Sequence, residues 1–249
     1  MTDLHLTLQV RRASRTEDGL AVWEATTTGE EWNAEKTALV LCDVWDQHPC
    51  HGAVVRLERM LPRMNDVVAQ LRRRGALIAH APSETMRFYE GTAARERARS
   101  ATPLTLPEPL QHDDPPLPVD SSDGGCDTVP YAPAGTWTRQ HAAIEIDQER
   151  DVISDRGDEL YRVYRERGID RMLIMGVHTN MCVLNRTFAI KAMVRLGLRV
   201  ALIRDLTDAM YNPLRPPYVS HDEGTRLVIE YIEKFWCPTV TSEEILSTT

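Results

Sequence analysis

Three helix-like stretches of this 249-residue chain close on a glycine, and a short apolar run follows each one. "AVVRLERMLPRMNDVVAQLRRRG" (53–75) leads into "ALIAHA" (76–81). "DELYRVYRERG" (158–168) leads into "RMLIMGV" (171–177). "NMCVLNRTFAIKAMVRLG" (180–197) leads into "RVALIRD" (199–205). A glycine just past a helix takes the left-handed backbone that ends it. Short runs that are apolar throughout read as strands covered on both faces. "TALVLCDVW" (37–45) adds another such strand, "AAIEI" (142–146) a shorter one, and "SHDEGTRLVIEYIEKF" (220–235) a last helix. Strand and helix in alternation predict an α/β protein: a three-layer (α/β/α), doubly wound, mainly parallel sheet.

Two regions fall outside this alternation. Residues 4–10, "LHLTLQV", alternate apolar and polar, and 20–25, "LAVWEA", can pair with them across "SRTEDG". This predicts an N-terminal β-hairpin extension over 1–36, with the main domain over 37–249. Residues 101–135 are rich in Pro, Asp, Ser and Gly and read as a long irregular insert. A net charge of −8 argues against a nucleic-acid partner. No apolar run nears the roughly 20 residues that span a bilayer, so no membrane partner is expected. The first residues show no secretory leader pattern. The five cysteines are scattered, without a C-x-x-C pair. Free thiols in a reducing, cytoplasmic compartment are the expectation.

In open α/β sheets, sites form beyond the carboxyl ends of the strands. Asp43, His80 and the turn "GVHTNMCV" (176–183) sit at such ends. Cys182 falls in the first turn of the predicted helix. Unpaired N–H groups there lower a thiol pKa and can hold an oxyanion. Asp43 is the candidate base. Taken singly, neither residue is diagnostic. A lone cysteine is often a small buried hydrophobe, and an aspartate at a strand end often caps a turn.

Together, the order and spacing of these residues resemble the isochorismatase-like cysteine hydrolases. That superfamily includes nicotinamidases and N-carbamoylsarcosine amidases. The resemblance covers about residues 37–235, with 101–135 matching poorly. "ALVLCDVWDQH" resembles the first strand and its catalytic aspartate, at Asp43. "GIDRMLIMGVHTNMCV" resembles the nucleophile segment, at Cys182, and "GLRVALIRDLTDA" the strand that follows. The spacing of Gly176, Thr179 and Cys182 is the most specific element. The resemblance implies a cis Val177–His178 peptide and an oxyanion hole from the His178 and Cys182 N–H groups. It implies hydrolysis of a C–N bond in a small amide or ureido compound through a thioester, with no cofactor. It also implies a homo-oligomer acting on a small-molecule substrate.

The chain departs from the pattern at the third catalytic residue. A lysine is expected after the short strand, near Asp147–Glu149, yet the only lysines are Lys36, Lys191 and Lys234. Arg139 is the candidate substitute. An Asp-x-His metal motif after the second strand is also missing, with Pro82 near the aspartate position, so no metal is expected there. The types in "DQHPCH" (Asp46, His48, Cys50, His51) suit zinc, but their spacing matches no metal motif. His80, Glu84, Trp45 and Arg139 are expected to bind substrate, with Phe88, Tyr89 and Trp137 as aromatic walls. The alternative is a silent scaffold that keeps the fold and binds a ligand or partner.

Overall fold

The computed structural model describes residues 3–128 and 136–247. Residues 129–135 of the predicted insert lie outside the described residues. The strands are β1 (Asp3–Arg15), β2 (Ala21–Asn33), β3 (Thr37–Cys42), β4 (Leu77–Ala81), β5 (Val152–Ile153), β6 (Arg171–Val177), β7 (Arg199–Asp208) and β8 (Thr239–Val240). The helices are α1 (His51–Arg73), α2 (Ala93–Arg99), α3 (Gly157–Glu166), α4 (Cys182–Asn185), α5 (Ile190–Arg195), α6 (His221–Phe235) and α7 (Ser242–Ser247). The sheet runs β2-β1-β8-β7-β6-β3-β4-β5. From β8 to β5 every pairing is parallel. The hairpin β1–β2 is antiparallel and joins at Gln9↔Thr239.

Alternate residues of the strands feed two cores, as a period of two requires. Ala38, Val40, Met172 and Ile174 pack under α3, α5 and α6. Leu39, Leu41, Leu173 and Met175 pack on the other face under α1 and α7. Leu4, Leu6, Leu8 and Trp32 of the hairpin enter that second core, so its base is continuous with the main body. Among the described residues no helix is long and apolar enough to cross a membrane.

Three expectations change. "AAIEI" is not a strand: it lies in turns such as Ile144 N–H to His141 O, 3.1 Å. The strand beside β4 is the two-residue Val152–Ile153, too short to show any period. The predicted helix 180–197 is broken between Asn185 and Ile190. There the start of α3 presses on Thr187, so closely that a β-carbon on Gly157 would stand 1.9 Å from the Thr187 carbonyl oxygen. Finally, Cys50 and Cys126 form a disulfide, while Cys42, Cys182 and Cys237 are free. The two partners are 76 positions apart, too far for any local spacing to mark them as a pair.

Candidate active site

The chain runs from β3 outward to β4 and β5, then returns to β6 on the other side of β3. The switch point of the sheet is therefore the β3–β6 boundary, where loops diverge and leave a crevice. Asp43 follows β3 and Cys182 follows β6, so both residues emerge there.

Local bonds shape each side. The Val177–His178 peptide is cis. Thr179 N–H donates to Asp208 O (2.9 Å), and the Thr179 hydroxyl meets that of Thr207 (2.7 Å). Asn180 binds both backbone groups of Met210, at 3.0 and 2.8 Å. These bonds tie the turn before Cys182 to the end of β7. Opposite, Asp43 has a left-handed backbone (φ 50°), which Asp tolerates better than most residues. Its Oδ1 accepts the Ser83 N–H at 2.7 Å.

Cys182 and Asp43 lie close enough for each to shift the other's titration. Asp43 is fully buried, and that burial raises its carboxyl above the ordinary range. Cys182, the bond from Ser83 and the charge of Arg186 oppose this without cancelling it. Burial, then the Asp43 charge, pushes the Cys182 thiol up to about 12. The expected lowering by a helix N-terminus does not occur. α4 is a single turn of four residues, with few aligned peptide dipoles to set against burial. The His178 imidazole is neutral, lowered to about 3 by burial and then by His48.

The cation at this pair is neither a lysine nor Arg139. It is Arg186, four residues after Cys182. Its Nε lies 3.2 Å from Asp43 Oδ2 and its Nη2 3.3 Å from Glu84 Oε1. Its charge also bears on the Cys182 sulfur. Arg139 instead pairs with Asp46 (3.8 Å) and lies over the Phe88 ring. Asp147 and Glu149 belong to a separate turn, and the residue that follows the short strand is Ser154. The sequence signal for Arg186 was its i+4 spacing from Cys182.

The other candidates divide between this centre and its surroundings. Glu84 is exposed at the rim and joined to Arg186. Trp45 is buried, donates to Ser83 O (3.1 Å) and stacks on Trp137 at 3.9 Å. Phe88 is exposed, whereas Tyr89 is buried and its hydroxyl accepts the Gln140 N–H. His80 is corrected. It is fully buried, with Nδ1 2.9 Å from Gln140 Oε1 and Nε2 3.0 Å from Asp151 Oδ2, and Arg72 completes that network. Both ring nitrogens are engaged inside the protein, which leaves none for a substrate. Asp46, His48, Cys50 and His51 do not converge. Asp46 caps Thr138 and Arg139, and His48 Nδ1 accepts the Cys50 N–H. Among the described residues the group with metal-like proximity is Cys50, Cys126 and Asp127, whose sulfurs are joined and whose carboxylate is held by Arg56.

The fold is a mainly parallel α/β sheet that brings the half-buried Cys182 and the buried Asp43 to its switch point. Residues 146–235 match the isochorismatase domain family. A cysteine hydrolase from Pseudomonas syringae pv. phaseolicola 1448A aligns with a TM-score of 0.55 at 16% identity, over 86% of this chain and 92% of that one. A putative isochorismatase from Burkholderia xenovorans LB400 aligns with a TM-score of 0.52 at 15% identity, over 85% and 86%. No curated protein sequence matches the chain. The stretch 146–235 is thus similar to the isochorismatase domain family, and the chain shares its fold with these solved structures.

Proposed function

We propose that the protein is a cysteine-dependent hydrolase that cleaves a C–N bond in a small amide or ureido compound. The observation that carries this reading is the convergence of Cys182, Asp43 and Arg186 at the switch point of the sheet. A thiol titrating near 12 is not a preformed nucleophile, so the proton must leave as the sulfur attacks. Asp43 is placed to take it, and a carboxylate whose pKa burial has raised is a better base than an exposed one.

The sulfur then adds to the substrate carbonyl carbon. The oxyanion faces the N–H groups of His178 and Cys182. Collapse breaks the C–N bond, and the leaving ammonia or amine takes the proton back from Asp43. The resulting thioester is hydrolysed by a water that Asp43 deprotonates, and the thiol is regenerated. The net reaction is amide plus water to acid plus amine. Glu84 and Arg186 at the rim, and the Trp45–Trp137 stack beside it, supply the polar and flat surfaces for the substrate.

The test is release of ammonia or amine from a panel of primary amides and ureido acids. Mass spectrometry of the intact protein follows acyl transfer. Turnover should vanish in Cys182→Ser, and an acyl adduct should map to Cys182 in the wild type. No release across the panel, with no Cys182 adduct, would leave the silent-scaffold alternative.

A further inference from the structure

We propose that Arg186 is the cation of the reaction centre: it holds the Cys182 sulfur and the Asp43 carboxylate as one unit, and Glu84 holds Arg186 in position. This rests on the hydrolase reading, and the experiment below separates the two.

Among the described residues, Arg186 is the one cation in an ion pair with Asp43. The same guanidinium reaches Asp43 through Nε and Glu84 through Nη2, and its charge bears on the Cys182 sulfur one turn earlier in the chain. Proton transfer from sulfur to carboxylate moves one negative charge between two groups that Arg186 borders. A cation paired with one end and beside the other stabilises the charge before, during and after transfer. A guanidinium suits this task because its planar fork offers several donors in fixed directions, whereas an ammonium is a point charge. Arginine also stays protonated in proteins, so it takes no part in relaying the proton.

The broken helix creates the arrangement. Arg186 caps α4 with an extended backbone (φ −61°, ψ 154°) while its N–H still closes the turn on Cys182 O at 3.0 Å. The cation is therefore built into the cysteine's own turn, on the side facing β3. Glu84, itself in a left-handed conformation (φ 66°), has its N–H bound to Asp155 Oδ2 at 3.0 Å. That bond fixes the backbone from which the Glu84 carboxylate meets Arg186, which makes Glu84 a positioning residue.

The experiment measures the rate at which iodoacetamide alkylates Cys182 in the full-length protein, read by mass spectrometry, with thermal unfolding followed in parallel. The proteins are the wild type, Arg186→Met, Arg186→Lys, Glu84→Gln and Asp43→Asn. An opposite charge beside a thiolate favours it by one or more pKa units, so Arg186→Met should slow labelling at least about tenfold. Added guanidinium ion, below denaturing concentration, should restore part of that rate. Arg186→Lys should fall between Met and wild type, and Glu84→Gln should slow labelling less than Arg186→Met does. A wild-type rate in Arg186→Met overturns the proposal. A loss that neither guanidinium nor lysine lessens also overturns it, because a purely structural role gives that pattern. If Asp43→Asn labels at the wild-type rate, the Cys182–Asp43 unit and the hydrolase reading fall together. If Asp43→Asn changes the rate while Arg186→Met does not, this proposal alone falls.

Discussion

The Cys42 carbonyl oxygen occupies the space that a side chain at Gly176 would need: a β-carbon built there would stand 2.0 Å from it. Gly176 also has φ of 123°, outside the range of L side chains. The two residues pair across β3 and β6, one residue before Asp43 and six before Cys182. The missing side chain lets the two strand ends close up at the candidate site.

Gly176→Ala should therefore damage fold and site together. Neither the backbone conformation nor the carbonyl contact can yield cheaply, so the expected loss is about 3 kcal/mol or more. Urea unfolding measures it. A loss below about 1 kcal/mol would show that the strand ends have room to adjust.

How much of this was legible in the sequence follows from the range of the interactions involved. β3, β4, β6 and β7, and the helices α1, α3 and α6, carry enough residues to express a period, and the glycines that stop α1 and α3 are local chemistry. β5 has two residues and β8 two, too few for any pattern. Their existence depends on neighbours already in place. Asp43 and Cys182 were visible because strand ends are visible. Arg186 was not, because its i+4 spacing from Cys182 does not by itself tell that Asp43, 143 positions earlier in the chain, would meet it. His80 stood at a strand end as expected, but the Asp151–Arg72 network that encloses it comes from elements remote in sequence.

The pH dependence of turnover follows from the two raised groups. Asp43 must be ionised to act as base, and burial lifts its pKa above the usual carboxylate value of about 4. Activity should fall as pH drops, with a midpoint above that value. The thiol titrates near 12, so kcat/KM should stay level past the ordinary thiol pKa of about 8.5. A pH–rate profile on any substrate found in the panel checks both limbs. An alkaline limb near the ordinary thiol value would mean that Cys182 is not buried against Asp43 as described.

His221 should contribute to stability in a pH-dependent way. Its Nε2 lies 2.9 Å from Asp208 Oδ1, and its Nδ1 lies 2.9 Å from Tyr211 O and 3.3 Å from Asp127 Oδ2. Both nitrogens face acceptors, which suits the doubly protonated ring. Burial alone would lower its pKa, but the bond and charge of Asp208 outweigh it, and the net shift is upward. A raised folded-state value means the stabilisation is full below the unfolded pKa of about 6.5 and fades as pH rises through the folded value. Unfolding of His221→Gln against wild type should show a larger loss near about pH 5.5 than near about pH 9. Equal losses at the two pH values would show that the ring's pKa is the same folded and unfolded.

The Cys50–Cys126 disulfide closes a separation of 76 residues and ties the start of α1 to the loop beside Met181, the neighbour of Cys182. Cross-linking so long a loop removes much unfolded-chain entropy, and a loss of such a bond costs about 2–4 kcal/mol. Other bonds hold the same loop: Arg56 to Asp127 at 2.7 Å, Gly52 N–H to the Thr128 hydroxyl at 3.0 Å, and Asn212 to Asp123 at 2.9 Å. With these in place Cys50→Ser should fold, but unfold at lower urea. A thiol reductant should destabilise the wild type by a similar amount and leave Cys50→Ser unchanged. Titration of the denatured, unreduced chain should count three thiols, for Cys42, Cys182 and Cys237. A count of all five cysteines would show the pair reduced, and the loop would then be held by its hydrogen bonds and ion pairs alone.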